Sequence, residues 1–162
     1  MRCSSCGGIR VKTEIQRDKW GIAHVTAPNQ LAAFEAQGWI AAADRIWQME
    51  FDRLRSQGRW GETVGAKAAR EDAFFRRLGL ADLAKQHWAS LAPETKEITE
   101  AYARGVNRWL DSHEDELPEE FSYHSARPER WQPWHCLAVY KVRHIFIDRK
   151  STRLNSSHQI IS

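Results

Sequence analysis

Asp44, Glu50 and Asp52 share one stretch of the chain with Arg45, Arg53 and Arg55. Carboxylates gathered on one helix are the raw material of general acid–base chemistry, which needs two of them in environments that pull their proton affinities apart. Here each acid has a guanidinium next to it or three residues on, and that interleaving reads as ion pairs and solvated faces. Asp44 and Arg45 stand apart, because Ala41-Ala42-Ala43 before them and Ile46-Trp47 after them predict a densely packed surround. A carboxylate and a guanidinium are tolerated there only when paired and hydrogen-bonded, so the two are expected to form a buried structural network tying their helix to neighbouring backbone.

Other arrangements that carry chemistry are weaker. Cys3 and Cys6 form a lone CxxC and Cys136 stands alone, whereas a structural zinc site needs four ligands. Free thiols in a frayed terminus are the expected reading, and no metal is expected in this chain. The seven histidines are scattered, with none at the i, i+4 spacing that sets two imidazoles on one helical face. There is no GxSxG elbow, P-loop, GxGxxG or HExxH. No self-contained catalytic centre is legible.

The elements that would position these residues are mostly helical. Apolar residues alternate from Val11 to Ile15, a second extended run covers Ile22 to Ala27, and Asp18 to Gly21 supplies turn chemistry, which predicts a β-hairpin. Asn29 is a suitable N-cap for a helix from Gln30 to Gln57, stopped by Gly58. Its apolar residues cover most of its circumference, as in a helix buried on most sides. Gly38 either lets another backbone come close or divides the run in two. A short turn is expected over Arg59 to Gly65, then helices over Glu71–Leu78 and Ala81–Ser90. Pro93 suits a first helical position, and Ile98, Tyr102, Val106 and Trp109 fall on one face of the helix it opens, which ends near Asp111 to His113. Glu114 to Gln132 reads as loop, and a final helix is expected from Cys136 to Ile147. Trp20, Trp39 and Trp47 are expected in the core.

The chain has 162 residues, 42% apolar and 28% charged, in the range of ordinary globular domains. No segment approaches the ~18 uninterrupted apolar residues of a membrane span, so no membrane partner is expected. Formal net charge is +3, but Arg149, Lys150 and Arg153 lie in the last fourteen residues, which contain no acid; the rest is neutral. A neutral body offers no electrostatic footprint for nucleic acid.

One ordered series of motifs goes beyond these generic readings. It begins with Arg17-Asp18-x-Trp20-Gly21-Ile22-x-His24 and continues through Phe34-x-x-Gln37-Gly38-x-x-x-Ala42-x-Asp44-Arg45-x-Trp47-Gln48-Met49-Glu50 and Gly58-Arg59. Asp72-x-Phe74-x-Arg76-x-Leu78-Gly79-Leu80, Tyr102-Ala103-x-Gly105-Val106-Asn107, Leu117-Pro118-x-Glu120-Phe121 and Trp131-x-Pro133 follow in the same order. The series resembles the α-subunit region of the penicillin acylase (penicillin amidase) family of N-terminal nucleophile hydrolases. That resemblance implies a mainly α chain with a short N-terminal β-hairpin, part of a larger α+β (αββα) fold. It also implies hydrolysis of the amide bond of an acylated small molecule, of β-lactam side-chain or acyl-homoserine lactone type. In such enzymes a precursor cuts itself, and the new N-terminal Ser of the β-subunit is the nucleophile, with its own α-amino group as base. By the resemblance the partner is a β-subunit from the same precursor, no catalytic residue lies in this chain, and the chain alone is inactive.

Carried over from Trp131-x-Pro133 without gaps, the α-subunit's acyl-pocket positions fall on His144, Ile147 and Asp148. His144 is equally read as an ordinary helical residue. Arg17, Asp18, Trp20, Gly21, His24, Gln37, Gly38, Asp44, Arg45 and Gln48 are expected to be structural. The calcium-binding carboxylate that some members place after this helix has no counterpart here, so calcium would belong to the full enzyme. The family pattern stops after Ile147. Residues 148–162 resemble translated sequencing-adapter sequence and are expected to be a non-native tail, 11–147 the family region, and 1–10 an N-terminal extension of uncertain origin. The resemblance is compatible with a periplasmic or secreted enzyme, but Met1 to Gly8 contains no apolar signal region, and the compartment stays open. A stand-alone helical protein-interaction module is the alternative, and its amphipathic helices alone would not require the fixed motif series.

Overall fold

The computed structural model describes residues 12–158, with Phe146 and residues 148–158 described as backbone only. Cys3, Cys6 and the N-terminal extension lie outside the described residues. Strands β1 (Glu14–Arg17) and β2 (Ala23–Thr26) pair antiparallel, Glu14 opposite Thr26 and Arg17 opposite Ala23. The hairpin is thus formed, with its first strand later than the Val11–Ile15 alternation predicts. Asp18 sets the turn: its carboxylate accepts from Trp20 N at 2.8 Å and Ile22 N at 3.0 Å, and Gly21 adopts φ +80°. Only glycine enters that region without steric cost.

Helix α1 (Gln30–Gln57) has the predicted limits. Asn29 accepts from Ala32 N at 2.9 Å as N-cap, and left-handed Gly58 donates to the Arg55 carbonyl as the chain leaves. The helix is interrupted at Arg45 (φ −156°, ψ 36°) and not at Gly38. Its burial also differs from expectation: nearly every residue from Met49 to Gly58 is buried or half-buried, whereas Ala43, Asp44, Arg45 and Gln48 are exposed.

Where a simple turn is expected the chain forms α2 (Gly61–Val64) and a 3-10 turn (Gly65–Ala68). Buried Asp72 holds it, accepting from Trp60 N at 3.0 Å and Gly61 N at 2.7 Å. Helices α3 (Ala69–Leu78), α4 (Leu80–Ala89) and α5 (Pro93–Ser112) follow close to their predicted spans. A short α6 (Glu119–Tyr123) lies within the predicted loop, with Phe121 buried against the core and Glu119 and Glu120 in its positive first turn. Helix α7 (His135–His158) runs eleven residues past the predicted end. No glycine or proline falls between Trp134 and His158 to stop it.

Helix α1 packs chiefly on α5. Ala42, Ile46 and Met49 meet Ala103, Val106, Trp109 and Leu110, and Phe121 and Trp131 close the layer. The crossing is backbone to backbone. A Cβ on Gly38 would land on the Tyr102 carbonyl oxygen, and one on Gly105 on the Glu35 carbonyl oxygen, with Trp39 N at 2.8 Å. Phe75, Leu80 and Val142 form a second cluster linking α3, α4 and α7.

Candidate functional site

Three polar assemblies hang on this frame. The first joins hairpin to helix. Arg17 donates to the Gly21 carbonyl at 2.8 Å and, through its other terminal nitrogen, to Asp44 at 2.5 Å. Asp18, besides its turn bonds, meets His24 Nε2 at 3.1 Å, and this contact, helped by the Trp20 and Ile22 amides, holds its carboxyl below the usual range. Arg17, Asp18, Gly21, His24 and Asp44 therefore form one clasp. It is a surface clasp, so the expectation of a buried Asp44–Arg45 pair is corrected: Asp44 bonds Arg17 across 27 positions, and among the described residues Arg45 has no such partner. Alanines around the two residues hide little area, and the helix turns this part of its face outward. Trp20 is likewise 76% exposed, whereas Trp39 and Trp47 do pack on the core.

The second assembly is buried, two turns further along α1. Arg53 has a side chain 1% exposed and donates to both oxygens of Glu50, at 2.7 and 2.6 Å, and to Glu129 at 3.1 Å. Glu129 also accepts from Arg59 at 2.7 Å, and Arg59 forks onto Glu62 at 2.8 and 2.7 Å. These bonds, with the Glu62 contact foremost, push the Arg59 guanidinium above its already high value, and Arg59 in turn holds Glu129 below the usual carboxylate range. His135, the first residue of α7, is buried beside this group. Its Nδ1 accepts from Gln132 N at 3.0 Å, which fixes the entry into α7.

Burial, reinforced by the Arg53 charge, lowers the His135 pKa from 6.5 to about 3. A base depressed in the folded state leaves the unfolded chain binding the extra proton between those values. Its contribution is complete above pH 6.5 and is lost as pH falls through the window toward 3. Unfolding free energy should drop by about 2 kcal/mol between pH 7 and pH 5, and His135→Gln should flatten that slope. Denaturant titrations at both pH values measure it, and an unchanged slope in the variant would remove His135 as the cause.

The third assembly is a cleft of about 430 Å³ beside the interruption in α1. Arg45 and Gln48 lie at its edge, Met49 and Val139 supply apolar wall, and Tyr102, Trp131 and Arg143 complete it from α5, the following segment and α7. Asn107 holds that segment in place, donating to the Trp131 carbonyl at 2.9 Å and accepting from its amide at 2.8 Å. Burial pushes the Tyr102 hydroxyl up to about 12, so it stays a donor.

The carried-over pocket positions lie elsewhere on α7. His144 is exposed, its ring 4.2 Å from that of Tyr140, and Ile147 is 61% exposed. The Asp148 side chain lies outside the described residues. His144 and Ile147 share an outward face that does not line the cleft. Gln37 is exposed, whereas Gly38 is buried in the crossing. The interleaved charges of α1 are read from sequence as ion pairs, and Glu50–Arg53 is one, but its burial, its link to Glu129 and the Asn107 tie are not anticipated. The i, i+3 spacing of Glu50 and Arg53 is a usable signal, and Asn107 stands in a motif whose purpose the structure supplies.

Known proteins share this frame. The sequence model described as penicillin amidase matches residues 12–159. The penicillin acylase 2 proenzyme of Pseudomonas sp. (strain SE83) is 39% identical over 137 residues, 85% of this chain and 18% of the relative. The acyl-homoserine lactone acylase QuiP of Pseudomonas aeruginosa is 34% identical over 135 residues, 83% of this chain and 16% of the relative. In fold, the chain is similar to a thermostable penicillin G acylase from Alcaligenes faecalis, with a TM-score of 0.73, 23% identity, and coverage of 80% of this chain and 70% of that one. The chain thus spans less than a fifth of the length of these curated relatives. The match takes in the clasp, the Gly38–Gly105 crossing, the Arg53 group and the Asn107 tie, and the chain belongs to the penicillin amidase family.

Proposed function

We propose that this chain is the N-terminal, α-subunit portion of a precursor amidohydrolase that cleaves the amide bond of an acylated small molecule, of β-lactam side-chain or acyl-homoserine lactone type. The observation that carries the reading is the family match over residues 12–159, on a chain whose polar residues are engaged chiefly in holding helices together. One relative's name describes a proenzyme, and others are named for penicillins and acyl-homoserine lactones. Nucleophile, base and oxyanion donors come from the β-subunit in this reading, and the chain alone is inactive. Its contribution is mechanical: the hairpin clasp and the α1–α5 pair form a rigid support for a pocket completed by the partner, with His144, Ile147 and Asp148 facing the acyl group. Calcium, where used, belongs to the assembled enzyme.

The purified chain incubated with a panel of penicillins and acyl-homoserine lactones should release no amine above the buffer rate. Saturable amide hydrolysis by the chain itself would overturn the assignment of the nucleophile to another subunit.

A further inference from the structure

The cleft at the α1 interruption has an unusual balance of polar groups. Among the described residues Arg45 makes no hydrogen bond or ion pair, and neither the Gln48 amide nor the Tyr102 hydroxyl is hydrogen-bonded. The Trp131 indole N–H is buried without a hydrogen-bond partner, with the Cys136 sulfur beside it as at most a weak acceptor. The one carboxylate in the lining, Asp52, is engaged by Arg143 at 2.5 Å. What is left over is one guanidinium without a carboxylate, a buried indole N–H, and an amide and a hydroxyl that can each donate, above an apolar wall of Met49 and Val139.

The backbone adds to this. Arg45 leaves helical geometry where neither proline nor glycine forces it, at the edge of this cavity. Helix interruptions of that kind recur at functional sites, because they free main-chain groups and redirect a side chain. Unpaired donors around a concave apolar surface are the usual composition of a small-molecule site. A guanidinium with an amide and a hydroxyl nearby matches a carboxylate best, since charge-assisted bonds to Arg are the strong ones.

We propose that this cleft binds a small monocarboxylate with an apolar body, its carboxylate on Arg45 and its body against Met49 and Val139. His144 and Ile147 do not line this cleft, and the binding does not depend on the amide hydrolysis proposed above, so either can fail alone.

The test is calorimetric titration of the full 162-residue chain with cyclohexanecarboxylate and with its neutral isostere, cyclohexanecarboxamide. The acid should bind saturably and at least about tenfold more tightly than the amide. Arg45→Met should bring the acid down to the affinity of the amide, and Arg45→Lys should retain part of the preference. Arg45 is exposed and unpaired, so these variants should melt like the parent, which thermal scans verify. Arg70→Met, at a different cationic cavity, should leave binding unchanged. Equal affinity for acid and amide, absence of saturation, or the same loss in Arg70→Met as in Arg45→Met would each overturn the site.

Discussion

Arg53→Ala should lower the free energy of unfolding by about 3–5 kcal/mol, the range for removing one partner of a buried ion pair. Most of that loss comes from what remains. Glu50, its side chain 5% exposed, would be left charged in a site built to neutralise it, and Glu129 would keep only Arg59. Replacing both members of the pair, as in Arg53→Met with Glu50→Leu, should be less damaging than the single change, because no buried charge is then uncompensated. Denaturant unfolding of the three variants measures this. A single-variant loss below about 1 kcal/mol, the range of exposed pairs, would show that the group is not buried in solution.

Gly105→Ala is the second large effect. In an open helix this change is favourable by about 1 kcal/mol, since alanine has the higher helix propensity. Here the new methyl would land on the Glu35 carbonyl, a backbone group that cannot rotate away, and α1 and α5 would have to separate. A net loss of about 3 kcal/mol is expected, at the upper end of overpacking costs. Gly38→Ala strikes the same crossing from the other helix, with the Tyr102 carbonyl in the way. Once either methyl has parted the helices the second should cost less, so the double variant should fall short of additivity. Additive losses, or a stabilised Gly105→Ala, would mean that the helices do not cross this closely.

Much of this frame is legible in the chain. Asn29 and Gly58 delimit α1 because capping chemistry is local, and the spacing of Tyr102, Val106 and Trp109 reveals α5 because one face is buried or half-buried along its length. What escapes depends on the third dimension. The carboxylate–guanidinium pair that is buried is Glu50–Arg53, while Asp44 and Arg45 face outward. Their alanine neighbours mark small residues and not enclosure, and only the direction of α5 decides which arc of α1 is covered. The break at Arg45 has no proline or glycine to announce it. Helix α6 hides in a polar stretch, where Phe121 alone signals an inward face. At the candidate site the motif series singles out Arg45 and Gln48, but their meeting with Tyr102 and Trp131 across a cleft requires the packed structure.

The function proposed for this chain is that of a support for chemistry supplied by another part of a precursor. The most direct measurement replaces the matching segment of the SE83 penicillin acylase 2 proenzyme with residues 12–147 of this chain and follows both chain cleavage and amine release from acylated substrates. A chimera that processes itself into two subunits and hydrolyses amides, while the same chimera carrying Arg53→Ala does neither, is the predicted outcome. A correctly folded chimera that cleaves neither itself nor any acylated amide would contradict the claim that this chain is the helical support of such an enzyme.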